Sequence, residues 1–290
     1  MNILLTGSEG FIGSAIKRKL ERAGYTVLCY DKKLGHDILD LVALEHHIQS
    51  SNYVIHVAAQ ANMYEMENIN GAYEGTDFNI RGTHNVAFLC AKHKIKLIYA
   101  SIICTYGNIE QQATEDAKVN PSELYACTKY AGEVIIQGYA LNFDLEYIIL
   151  RFATTYGPGM RSALGVHVFF AQALQDKDIT IHGDGRQVRT LTHVDDIAAG
   201  CALAIRHFDN ARDEIINISQ HEKVSAIQMA EDIKKITGSN SKIIFVDQRH
   251  NQTFDENVCN QKAWKLLNWL PKYNWQQGLQ HTYNWFKNGR

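Results

Sequence analysis

The chain has 290 residues, 46% apolar and 21% charged, the composition of an ordinary globular protein with room for a large core and two lobes. A formal net charge of -2 with no basic run excludes a nucleic-acid groove or an anionic membrane surface as the main partner. No apolar run reaches the roughly 18–20 residues of a membrane span. The six cysteines (29, 90, 104, 127, 201, 259) are scattered without metal-type spacing, and the N-terminus enters a strand pattern at once. The expectation is a cytoplasmic α/β protein with reduced thiols, no signal peptide and no metal.

Asn2-Ile3-Leu4-Leu5-Thr6 is a short apolar run, as expected of a parallel strand buried on both faces. Gly7-Ser8-Glu9-Gly10-Phe11-Ile12-Gly13 follows, then an amphipathic helix from about Ser14 to Ala23. Glycines between a strand and a helix let the backbone approach a pyrophosphate, which the free N–H groups of the helix N-terminus hold. The next strand, Tyr25–Tyr30, ends at Asp31, 18 residues after Gly13. A carboxylate there is placed to accept from an adenosine ribose and to repel a 2′-phosphate, favouring NAD over NADP, although Lys32 and Lys33 weaken that preference. Asp37-Ile38 lies where a loop can bond and sandwich the adenine.

Tyr53–Ala59 is another buried strand, ending in small residues that let a ligand cross it. His56 within it reads as a satisfied core histidine. A helix with Asn79, Gly82 and Thr83 leads to a strand at 96–102. Tyr125 and Lys129 then stand one turn apart on one helix face, and a further strand spans 145–151. An ammonium beside a phenol lowers the phenol's pKa, so the pair can move protons if a hydride acceptor lies nearby. Strands and helices alternating at this spacing specify a doubly wound parallel sheet of the Rossmann type. Past Tyr156-Gly157-Pro158-Gly159 the rhythm loosens into a smaller α/β C-terminal lobe. There a strand and turn at 179–185 precede a helix from His193 to about Arg206, and Ser225 caps another helix. Trp264, Trp269, Trp275 and Trp285 read as core of that lobe. The division expected is 1–158 with about 188–219 for the dinucleotide, and about 159–187 with 220–290 for the substrate.

Together these motifs resemble the extended short-chain dehydrogenase/reductase family, in its nucleotide-sugar epimerase and dehydratase branch. The matching residues are Thr6–Gly13, Asp31, Asp37-Ile38, Ala58-Ala59-Gln60, Asn79-x-x-Gly82-Thr83-x-Asn85, Tyr106-Gly107, Tyr125-x-x-x-Lys129, Arg151, Tyr156-Gly157-Pro158, Gly183-Asp184-Gly185 and His193-Val194-Asp195-Asp196. The resemblance implies that Gly7, Gly10, Phe11, Ile12, Gly13, Asp31, Asp37, Ile38, Ala58, Ala59, Gln60, Asn79, Ser101, Tyr125 and Lys129 surround NAD. It implies Tyr125 as acid/base on a sugar hydroxyl, usually O4, with Lys129 holding the nicotinamide ribose. Arg189 matches an arginine that clamps the diphosphate of a nucleotide-diphosphate sugar, and Arg249 is a second candidate. A homodimer through the Tyr125 helix and its neighbour near 81–94 is implied as well.

The pattern breaks at Ile102, where the family carries a catalytic Ser or Thr; loss of one such donor typically costs about 10²–10³ in rate. Thr105 and Thr154 are candidates to replace it. Ile103-Cys104 stands where 4,6-dehydratases carry an acidic pair, which disfavours dehydration and the related decarboxylation. Thr154 also occupies the position of a substrate-touching Asn. Cys104 falls where a 3,5-epimerase branch keeps a proton-abstracting cysteine, although Gly159 stands where part of that branch has a His. The expected activity is NAD-dependent epimerisation through transient oxidation at C4. The alternatives are a 4-ketosugar reductase, a 3,5-epimerase/reductase, or a weakened NAD-binding sensor or scaffold.

Overall fold

The computed structural model describes residues 1–61, 68–109, 111–248 and 256–288. Its centre is a six-stranded sheet built from β1 (Asn2–Thr6), β2 (Thr26–Tyr30), β3 (Tyr53–His56), β4 (Lys96–Ile102), β5 (Tyr147–Phe152) and β6 (Glu214–Ile218). The order is β6-β5-β4-β3-β1-β2, with every pairing parallel. The chain winds outward from β1 in both directions, which leaves a crevice at the carboxyl ends of β1 and β3. The doubly wound fold read from the sequence is borne out.

The strands are apolar throughout because both faces are covered. Ile3, Leu5, Ile148 and Leu150 point to one face, against α1 (Phe11–Arg22) and α5 (Val194–Arg206). Leu4, Leu97 and Ile149 point to the other, against α2 (Leu41–Gln49), α3 (Ile69–His93) and α4 (Leu124–Phe143). A third cluster, with Phe169, Phe170, Ile181, Met229, Ile233 and Trp275, forms the core of the C-terminal part. Ser225 caps the helix Ala226–Thr237 by accepting from Gln228 N.

Three expectations needed correction. Strand β3 stops at His56 rather than running to Ala59, because the Thr6 hydroxyl oxygen accepts from Val57 N and Ala58 N, both at 3.2 Å. The first helix starts at Phe11, a turn earlier than expected. The four tryptophans do not share one core: Trp269 is buried beside the central sheet, Trp275 lies in the third cluster, and Trp264 is half exposed. Strand β6, with Glu214 and Asn217, was not among the expected strands; its place in the sheet comes from pairing with β5.

Candidate active site

The crevice is a cavity of about 1090 Å³ running from the glycine-rich turn to Tyr125 and Lys129. At its first end the site is made of backbone. Gly7 has φ +72°, and a Cβ there would lie 2.8 Å from Ala58 N. A Cβ on Gly13 would collide with the Gly7 carbonyl oxygen. Helix α1 carries no side-chain cap on Gly10, and its first turn holds no acid, so its N-terminal amides are suited to an anion. Gly10, Phe11, Ile12, Gly13, Ala58, Ala59 and Gln60 line the cavity.

Asp31 lines it too, with its two carboxylate oxygens accepting from Glu9 N (3.0 Å) and Lys33 N (2.9 Å). Ile38 is buried against Gly82, where a Cβ would meet its Cγ2 at 2.8 Å. Asp37 and Asn79 are not among the lining residues. The Asp37 carboxylate accepts from Leu39 N and its carbonyl from the Tyr30 hydroxyl. Asn79 instead clamps the Gln60 backbone at both N (2.7 Å) and O (3.1 Å) and donates to Thr128 Oγ1 at 3.0 Å. It thus ties the loop after β3 to the helix that bears Tyr125.

His56 is the satisfied core histidine expected. Because Thr6 Oγ1 already accepts two amides, its proton goes to His56 Nδ1 (2.7 Å), and His56 Nε2–H then donates to Thr83 Oγ1 (3.1 Å). Burial pulls this imidazole down to about 3, so it is neutral. In the His193-Val194-Asp195-Asp196 motif, His193 caps α5 by accepting Asp195 N at Nδ1, and its Nε2–H donates to His281 Nδ1 at 3.2 Å. Asp196 accepts from Lys272 N and Tyr273 N, pinning the C-terminal segment.

The second end is made of side chains. Tyr125 and Lys129 line the cavity together, but their protonation differs from the sequence expectation. Burial dominates both groups: it pushes the Tyr125 phenol up to about 12 and pulls Lys129 down to about 7. The cation that favours the Tyr125 phenolate is Arg161, whose guanidinium lines the cavity and donates to Ala61 O at 2.6 Å. Lys129 Nζ sits 4.2 Å from the Tyr99 ring centroid, and Glu133, one turn on, favours its charge. Glu133 is fully buried, held bidentately by Arg151 (3.0 and 2.6 Å) and accepting from the Ser101 hydroxyl. Ser101 lines the cavity, yet its hydroxyl points into this network.

Ile102 lines the cavity without a donor. Neither expected substitute is free: Thr105 Oγ1 donates to Ile102 O (2.9 Å), and Thr154 Oγ1 to Glu256 Oε1 (2.6 Å). Burial pushes the Cys104 thiol well up, and the Glu256 and Glu123 carboxylates push the same way. It is a thiol at neutral pH, which opposes the proton-abstracting role weighed for it. Arg189 is not among the lining residues; it pairs with buried Glu256 at 3.4 Å and donates to Val188 O at 2.9 Å. Arg249 lies outside the described residues. Glu123, Arg161 and Glu256 were missed by the sequence reading. The only available signal was proximity, since Glu123 stands two residues before Tyr125 and Arg161 follows the Tyr156-Gly157-Pro158 motif.

Residues 3–219 match the model of a family described as NAD dependent epimerase/dehydratase. A UDP-glucuronate 4-epimerase of Thermodesulfobacterium geofontis is 30% identical, over 98% of this chain and 95% of its own. A UDP-N-acetyl-alpha-D-glucosaminuronate decarboxylase of Bacillus cytotoxicus is also 30% identical, over 98% and 97%. The crystal structure of a UDP-glucuronic acid 4-epimerase from Bacillus cereus, in complex with UDP-glucuronic acid and NAD, superposes with a TM-score of 0.92. It is 29% identical and covers 99% of each chain.

Proposed function

The chain belongs to the NAD dependent epimerase/dehydratase family, and from that premise we propose that it is a nucleotide-sugar 4-epimerase using NAD. One observation carries the reading: a single cavity joins a glycine turn that accepts a pyrophosphate to a Tyr-x-x-x-Lys pair. Bound NAD supplies the hydride acceptor, and then the donor, at the sugar carbon. Tyr125 exchanges one proton with the C4 oxygen, taking it during oxidation and returning it during reduction. Burial holds its phenol in the protonated form, and the charge that favours the phenolate during proton exchange is that of Arg161. Lys129 holds the ribose hydroxyls. Asp31 selects NAD by accepting from the adenosine ribose and repelling a 2′-phosphate.

The division into a dinucleotide part (1–158 with about 188–219) and a sugar-nucleotide part (about 159–187 with 220–290) belongs to the same proposal. So does a cytoplasmic location; no helix among the described residues is long and apolar enough to cross a membrane. Val134, Leu141 and Phe143 on α4 are exposed apolar side chains that a second copy would cover in a homodimer. The test is incubation with UDP-, GDP-, dTDP- and CDP-sugars followed by NMR of the products. A C4-inverted sugar with no net NADH is expected, whereas stoichiometric consumption of NADH would identify a 4-ketosugar reductase instead.

A further inference from the structure

The sugar end of the cavity contains an acid that the motifs leave unassigned. Ile102 offers no donor, and the hydroxyls of Ser101, Thr105 and Thr154 are each committed to another acceptor. Glu123 lines this same cavity and occupies the N-cap position of α4, two residues before Tyr125. Its side chain makes no capping bond to the helix. Cys104, whose thiol the Glu123 carboxylate pushes up, and Tyr125 line the same cavity.

We propose that Glu123 gives the sugar oxygen the hydrogen bond that a Ser or Thr at position 102 would otherwise supply. The proposal rests on the 4-epimerase reading. The groups that face Glu123 are Arg189, Glu256 and Cys104. Burial pushes its carboxyl upward and Glu256 adds to this, while Arg189 opposes. Arg189, however, is already ion-paired to Glu256 at 3.4 Å. A buried acid kept neutral so that it can donate to a developing oxyanion is an established solution to this problem. Glu123 retains its proton throughout, and Tyr125 alone exchanges one with the sugar. Ionising Glu123 turns a donor into a repelling acceptor, so kcat/KM falls as pH rises through its pKa.

The experiment has two arms. In the NAD-loaded protein carrying ¹³C-labelled glutamate, the Glu123 carboxyl is assigned by its loss in Glu123→Gln and titrated. It is expected to be still protonated at the pH of the turnover assays, and a carboxyl already ionised at that pH would overturn the proposal whatever the substrate. In the second arm, turnover of the best sugar in the panel drops about 10²–10³-fold in Glu123→Ala. It stays within about tenfold of wild type in Glu123→Gln, whose amide still donates, and the high-pH limb disappears. Equal losses in the two variants, or a limb that survives in Glu123→Gln, would show a purely structural role and sink it. If wild type turns over no sugar, the epimerase reading fails by itself. UDP-glucose affinity in the Tyr125→Phe background then decides: a roughly 3–10-fold loss in Glu123→Ala but not in Glu123→Gln sustains the donor, and no difference overturns it.

Discussion

The two ends of the cavity are built from different materials. The dinucleotide end is almost entirely main chain: Gly7, Gly13, the uncapped start of α1 and the small residues after β3 create it by removing side chains. The sugar end consists of ionisable side chains forced out of water, among them Tyr125, Lys129, Glu123 and Cys104. Dipoles and shape suit one end to an anion. At the other, burial disfavours the charged form of each group, which sets function against stability.

The largest expected effect lies at the sugar end. Tyr125→Phe removes only the hydroxyl and should lower kcat by about 10²–10⁴. NAD affinity and the denaturation midpoint should stay near wild type; a variant that loses NAD as well would mean that the two ends are not separable. Next comes the support beneath that end. Arg151→Leu leaves Glu133 buried, charged and without its bidentate partner, with Ser101 as its remaining donor. A loss of about 3–5 kcal/mol in chemical denaturation is expected.

Lys129→Met sharpens the contrast, because it should raise stability while abolishing turnover. Burial lowers this ammonium from 10.5 to about 7. Between those pH values the unfolded chain binds more protons than the folded one, so the Lys129 contribution to stability rises with pH across the window. At pH 7 the folded protein still carries most of the penalty, roughly 2–4 kcal/mol. Met removes it, and with it the alkaline part of the slope. Denaturation curves at pH 7 and pH 10 check this: the variant should gain at pH 7 and gain little at pH 10.

The same division decides what could be read from the sequence. Thr6–Gly13 announced its turn because backbone geometry restricts residue choice so narrowly that glycine spacing carries the message. The apolar strands were equally plain, since a sheet covered on both faces needs them. The sugar end gave a misleading sign. An ammonium near a phenol suggests a lowered pKa, but the sequence does not record how deeply both are buried, and burial won. Nor could it show that Asn79 acts on the Gln60 backbone, or that Arg189 is engaged by Glu256, because those contacts span 19 and 67 positions.

The smallest effect tests whether the dinucleotide end is as insensitive to side-chain charge as its construction suggests. Lys33 lines the cavity beside Asp31 and reaches Glu9 O at 3.0 Å, while its amide binds the Asp31 carboxylate. Lys33→Ala leaves that amide in place, so Asp31 stays oriented and NAD affinity should change less than about twofold. The ammonium is exposed, and a solvated charge contributes roughly 0.2–1 kcal/mol. Removing it should therefore weaken NADP about 1.5–5-fold, seen as a wider NAD/NADP affinity ratio by titration calorimetry. A larger loss of NAD itself would mean that the lysine, and not the glycine turn, holds the pyrophosphate, and the contrast between the two ends would no longer stand.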